Sequence, residues 1–320
     1  MRKLAVVFGG SGFLGRQVVR ALCRDGWRVR VAVRRPHQAI ELRVEGDVGQ
    51  VQLVQTNIRS QISVAQAVEG AQIVINLVGV LIETGRQKFS SLHAIGAGSI
   101  AKAAAAVGAS QMIHVSAIGA DEQSKSSYAR SKGKGERLVR EAFASATILR
   151  PSVLFGPGDG LFERFAGLAR MTPIIPVPGA DTKMQPVYVG DVAKAVMAAL
   201  DSSDAAAKTY ELGGPETLTL GQIVAFTVEQ IDRRRVILPV PDFFARILGF
   251  IGEMLGMLPF VDPFLTRDQV ILLGKDNVVA DDALALSDLG IKSLETVQAI
   301  VPSALVRFRR YGQFHEKRTA

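Results

Sequence analysis

The 320-residue chain contains one cysteine and four histidines, and no uncharged stretch near the roughly 20 residues that a bilayer-spanning helix needs. Cys23 has no partner for an internal disulfide, so a reducing, cytoplasmic compartment is the expectation. His37, His93, His114 and His315 are scattered without metal-ligand spacing, so no metal site is expected; His114, inside an apolar run, reads as a core or edge residue. A signal peptide is not expected either. The apolar run Leu4–Phe8 follows Met1-Arg2-Lys3 but is cut short by Gly9-Gly10-Ser11-Gly12, and a first β-strand is predicted there. Disorder is excluded by a composition that is 48% hydrophobic and 21% charged. The net charge of +8 is spread out, with local clusters at Arg28–Arg35, Arg233–Arg235 and Arg307–Arg310. No zinc-finger spacing and no interleaving of basic with aromatic residues accompanies it, so nucleic acid is not an expected partner.

What is present is alternation. Short β-branched runs at Leu4–Phe8, Arg28–Val33, Val51–Gln55, Ile73–Leu77, Met112–Val115 and Ala146–Leu149 predict strands. Gly12–Asp25, Ile62–Glu69, Leu92–Val107 and Ser127–Phe143 predict the helices between them. This order predicts an α/β fold with a doubly wound parallel sheet covered on both faces. Beyond Pro151 the texture changes to Pro- and Gly-punctuated short elements, followed by helices at Asp191–Leu200, with Asp191 as N-cap, and Gly221–Ile231. The expected division is a first domain over 1–155, with 186–212 returning to it, and a smaller C-terminal α/β region over 156–185 and 213–320. The segment Phe243–Val261 is strongly apolar, with only Arg246 and Glu253 charged. It reads either as a buried helix or as one that docks on a membrane surface or a partner.

Gly9-Gly10-Ser11-Gly12-Phe13-Leu14-Gly15 follows the first strand and opens the first helix. Glycine suits a tight turn, a close approach of backbone to a pyrophosphate, and close packing of helix on strand. The helix N-terminus then offers N–H groups to the phosphates. In this strand–turn–helix setting the pattern predicts a Rossmann-type dinucleotide site. An NAD-selective site places an acid after the second strand. Here Arg34 and Arg35 stand there, and paired guanidinium groups suit a 2′-phosphate, so NADP(H) is expected, with NAD(H) as the alternative. Asn57 is placed to meet the adenine edge or to cap the next turn. Leu77, Val78 and Gly79 are expected to line the cofactor with backbone, Gly79 serving close approach or only the turn.

GGSGFLG, Tyr128-Ala-Arg-Ser-Lys132, LRPSVLFGPGD at 149–159, PVYVGDVAKAV at 186–196 and YELGGPETLTLGQIV at 210–224 occur in one order. Together they resemble the extended or atypical short-chain dehydrogenase/reductases, related to NAD-dependent epimerases and dehydratases, over nearly the full length. Within them the chain is most similar to the branch holding the nucleotide-binding accessory subunit of respiratory complex I (NADH:ubiquinone oxidoreductase) and its bacterial relatives. Tyr128 and Lys132, four apart, share a helix face. The resemblance implies that Tyr128 is the acid–base, that Lys132 lowers its pKa and holds the nicotinamide ribose, or that both only bind cofactor. It also places Pro151, Ser152 and Val153 near the nicotinamide, although Pro151 can simply end a strand. The resemblance further implies that the hydroxyl polarising a substrate carbonyl lies just after the fifth strand. There Ala117 and Ile118 fill the usual slots and Ser116 comes early, leaving Ser116, Ser126 or Ser127 as substitutes.

Three readings follow. One is a structural or weakly active NADP(H)-binding component linked to complex I or quinone metabolism. Another is an active NADP(H)-dependent reductase or epimerase using Tyr128 and Lys132. The last is an NADP(H)-sensing regulator. Complex I subunits or a membrane surface are the expected partners, with peripheral placement on the inner face of the plasma membrane; the substrate is unknown.

Overall fold

Strands with both faces apolar need helices on both sides, and the computed structural model, which describes residues 3–255 and 265–314, builds that arrangement. Seven parallel strands form one sheet: β1 (Leu4–Phe8), β2 (Arg28–Val33), β3 (Val51–Gln55), β4 (Ile73–Asn76), β5 (Gln111–Val115), β6 (Thr147–Pro151) and β7 (Thr209–Leu212). Their order is β7-β6-β5-β4-β1-β2-β3. Val6, Phe8, Val74 and Met112 bury one face with the helices α2 (Gln61–Val68), α3 (Ala97–Ala106) and α4 (Ser127–Ala142). On the other face, Val7 and Val31 lie beside Val19 of α1 (Phe13–Arg24), which packs against α5 (Val189–Asp201). Sheet order reverses between β1 and β4, the switch point at which such sheets bind ligands beyond their strand C-termini.

The chain forms two compact units. The first comprises Met1–Pro151, Val189–Leu212 and Val279–Ser293. Residues 279–293, expected in the second, join the first because Glu211 N–H donates to Leu284 O at 2.8 Å and Ala280 N–H to the Glu211 carboxylate at 3.1 Å. The second unit comprises Ser152–Tyr188, Gly213–Val278 and Leu294–Ala320, around a core that includes Phe155, Phe162, Ile175, Val177, Ile223 and Val301. In it the strand Ile174–Pro178 pairs in parallel with Val236–Val240.

Three local details differ from expectation. The helix predicted at Leu92–Val107 begins as a π-helical turn, Ser90–Gly96, before α3. Asp191 is not the cap of α5; it lies buried in the first turn and binds Lys194 at 2.8 Å. The apolar segment forms a helix over Asp242–Leu255, and residues 256–261 fall outside those described. That helix is no core helix: Ala245 is buried, but Phe243, Phe244, Ile247, Leu248, Phe250, Ile251 and Met254 are exposed.

Candidate nucleotide-binding site

The glycine loop leaves β1 with Gly9 in the left-handed region (φ +79°), a conformation costly for other residues. A Cβ on Gly9 would stand 3.0 Å from the Leu77 backbone. On Gly15 it would stand 2.2 Å from Gly9 O and 2.6 Å from Gly10, so only glycine lets α1 sit down on the loop. Gly12 N–H donates to Gly9 O at 3.0 Å, and Gly12 caps α1 with no side-chain hydrogen bond. Ser11 and Phe13 are half-buried and Leu14 points into the core. The outcome is a helix N-terminus reached by backbone alone at the switch point, a cradle that suits a pyrophosphate.

Arg34 and Arg35 follow β2, both exposed and without an ion pair among the described residues. Asn57 caps its own turn, its Oδ1 accepting from Arg59 N–H at 3.1 Å. Beyond β4, Leu77 and Val78 are half-buried and Gly79 is exposed. A Cβ on Gly79 would lie 3.5 Å from Lys132 Nζ, so the Gly79 backbone and the lysine face one space.

Lys132 is buried on α4, and its ammonium donates to Val115 O at 3.3 Å at the end of β5. It lies 5.9 Å from the Tyr128 ring centroid. Burial lowers its pKa to about 8, partly opposed by Glu136 one turn further on. Burial pushes the Tyr128 phenol up to about 12. Glu136 is itself buried and clamped by the Arg150 guanidinium at 2.9 and 2.8 Å, while Arg150 also reaches Glu211 at 3.4 Å.

Sequence reasoning missed the setting of Tyr128. His93, from the π-helical turn, contacts its ring edge-on at 5.3 Å and stacks on Phe89 at 5.4 Å; Phe89 also meets Tyr128 at 5.6 Å. The hydrogen bonds run in one direction. Val80 N–H donates to His93 Nε2 (3.0 Å), so Nδ1 carries the proton and donates to Ser131 Oγ (2.9 Å), whose hydroxyl donates to Tyr128 O (2.7 Å). Burial holds His93 neutral, with a pKa lowered to about 3. A second buried imidazole, His114, accepts from Asn76 Nδ2 at 3.1 Å, because Asn76 Oδ1 is already taken by Val78 N–H; its pKa is likewise lowered to about 3 by burial.

Ser116 lies buried just past β5 with no partner for its Oγ among the described residues, while Ala117 and Ile118 occupy the half-exposed turn. Ser126 caps α4 by accepting from Ala129 N–H, and Ser127 accepts from Arg130. Pro151 ends β6, its carbonyl accepting from Ile118 N–H at 3.1 Å. Ser152 and Val153 belong to the second unit, where Ser152 Oγ binds Asn277 Oδ1 at 2.6 Å. The fold thus brings residues 9–15, 77–79 and 132 together at the strand C-termini. Among the described residues no cluster of metal-binding side chains occurs.

Comparison with known proteins agrees with this geometry. The chain is 35% identical over 292 residues to mitochondrial NADH dehydrogenase (ubiquinone) 1 alpha subcomplex subunit 9 of Mus musculus, covering 90% of this chain and 76% of that one. It is 37% identical over 202 residues to a ceramide reductase of Caulobacter vibrioides, covering 62% of this chain and 61% of that one. A nucleoside-diphosphate-sugar epimerase from Staphylococcus aureus shares the fold at 17% identity, with a TM-score of 0.71 over 93% of this chain and 99% of that one. Residues 5–213 match the NAD dependent epimerase/dehydratase family, and the chain is therefore a member of that family whose similarity extends, over most of its length, to subunits of mitochondrial NADH dehydrogenase (ubiquinone).

Proposed function

We propose that the protein holds NADP(H) in its first unit and serves as a structural or weakly active component associated with respiratory complex I or quinone metabolism. The observation that carries the cofactor choice is the Arg34-Arg35 pair, exposed beyond β2 where an NAD-selective site needs a carboxylate. The glycine cradle fits the pyrophosphate, and Lys132 beside Gly79 fits a ribose diol. When bound, the nicotinamide gives or accepts a hydride. Nucleotide held in the folded state alone stabilises it by mass action.

The structural reading is supported by the turn after β5. Ala117 and Ile118 bring no hydroxyl, and Ser116 Oγ is buried away from solvent. The similarity over 90% of this chain to a mitochondrial NADH dehydrogenase (ubiquinone) subunit supports the same reading. A reductase is the second reading, favoured by the Tyr128–Lys132 pair with its buried ammonium. In that case Tyr128 holds the proton for the carbonyl oxygen and the Lys132 charge stabilises the phenolate.

Purification from detergent-solubilised membranes tests both. The structural reading expects retained NADP(H), co-migration with complex I activity on native gels, and co-migration unchanged in Tyr128→Phe. Tyr128-dependent hydride transfer to a defined carbonyl substrate by protein free of complex I would overturn it.

A further inference from the structure

Helices usually bury their large apolar residues and expose small or polar ones. Asp242–Leu255 does the reverse. Its packed stripe is Ala245, Gly249 and Gly252 at i, i+4 and i+7. A Cβ on Gly249 would meet the Arg267 backbone at 3.0 Å, and one on Gly252 would meet Leu265 O at 2.1 Å. Glycine therefore draws this helix down onto the chain at 265–267 and turns the bulky side chains outward. Phe243 is 70% exposed, Phe244 57% and Met254 56%. Glu253 is neutralised by Arg267, whose guanidinium also covers the Phe250 ring at 5.5 Å.

The strand pair that precedes the helix also exposes apolar side chains. In the strand pair leading into the helix, Ile174 lies opposite Val236, and both are exposed, as is Leu238 two residues on. At the start of this ribbon Arg235 Nε donates to Ala169 O, which sets Arg170 and the exposed Met171 beside it. Arg309 Nε donates to Gln230 O, which brings the C-terminal basic run to the same end. Arg235, Arg170 and Arg310 each lie near enough to Arg233 to repel its charge. None of these four, nor Arg234, forms an ion pair among the described residues.

We infer that the exposed apolar face of Asp242–Leu255 and of the Ile174/Val236 ribbon, with its arginine cluster, seats the second unit on the surface of an anionic phospholipid bilayer. The charge pattern favours that occupant: guanidinium groups with no ion pair among the described residues stand at the start of the ribbon that leads into the Phe-rich helix, and basic charge beside exposed apolar surface suits an anionic headgroup layer. At 1.5 Å per residue its 14 residues measure about 21 Å, short of the hydrocarbon thickness, so the helix lies in the plane and does not cross. No described helix is long and apolar enough to span. The inference is independent of the nucleotide reading, which rests on the first unit.

Flotation of the full chain with vesicles tests it. The protein should rise with vesicles of equal parts phosphatidylglycerol and phosphatidylcholine, remain behind with phosphatidylcholine alone, and detach at high salt. Arg234→Gln with Arg246→Gln and Arg310→Gln should weaken partitioning about a hundred-fold, at the affinity expected for three charges near a membrane. Phe243→Ser with Phe244→Ser should weaken it at least about ten-fold. These are surface positions, and an unchanged melting profile certifies the fold. As a second readout, Phe250→Trp in a Trp27→Phe background should shift its emission to shorter wavelength on adding anionic vesicles. Absence of anionic flotation, or flotation indifferent to both sets of substitutions, overturns the inference. Crosslinking of this face to a membrane protein without vesicle binding overturns it in favour of a protein partner.

Discussion

Acid should unfold the first unit through two histidines. His93 and His114 are both 1% exposed, and both are held neutral, their pKa values lowered from an ordinary 6.5 to about 3. The unfolded chain therefore binds more protons than the folded one between pH 3 and 6.5, and stability is lost as pH falls through that window. At pH 4.5, two units below the unfolded value, each ring costs about 3 kcal/mol. Together they remove about 5 kcal/mol or more from a domain whose whole stability is on the order of 5–15 kcal/mol. Burial is the leading cause for both rings, and the Lys132 ammonium adds to it, so the two contributions are coupled and sum imperfectly. Urea unfolding from pH 7.5 to 4.5, followed by circular dichroism, measures the slope. His93→Gln keeps an acceptor for Val80 N–H, and His114→Asn keeps one for Asn76. Each variant starts less stable at neutral pH but should lose about 3 kcal/mol less than the parent on acidification. An identical pH slope in parent and both variants would refute the argument.

Three further outcomes follow from the same unit. NADPH should bind at least about ten-fold more tightly than NADH, with Arg34→Ala/Arg35→Ala erasing the difference in calorimetric titrations; equal affinities in the parent would remove the basis for NADP(H). Gly15→Val, which drives side chain into Gly9 O, should abolish nucleotide binding and lower stability by about 1–3 kcal/mol, whereas Gly160→Ala, with nothing within 4 Å, should do neither. Glu136→Ala leaves Arg150 only its longer contact with Glu211 and should cost about 2–3 kcal/mol by denaturant titration, with part recovered in Glu136→Ala/Arg150→Met; a cost under 1 kcal/mol would show the pair to be solvated.

Most of the sheet was legible because parallel strands are buried on both faces and read as unbroken β-branched runs, so β1, β2 and β3 appear with the predicted bounds. The glycine loop was legible for a related reason, since Gly9 and Gly15 answer to backbone clashes that no other side chain escapes. The surroundings of Tyr128 were not legible. His93 reaches it from a π-helical turn 35 positions earlier and is held by Val80 and Ser131, contacts that exist only once the sheet has formed. The apolar helix misled for a different reason. Hydropathy marks it as apolar without saying which face is buried, and the deciding signal, a stripe of Ala245, Gly249 and Gly252, lies in size and not in polarity.

The first unit is written discontinuously, and this sets a schedule for synthesis. By residue 151 six of the seven strands have been made, but the outer edge of β6 offers its ladder groups to any extended chain nearby. β7 closes that edge only some sixty residues later, and Leu284 and Ala280 cover part of β7 later still. A nascent chain halted between β6 and β7 is therefore the species most exposed to aggregation. It is also the one on which β7 of a second chain can be exchanged, so slower translation across residues 152–208 is expected to raise the fraction of aggregated or strand-exchanged chains.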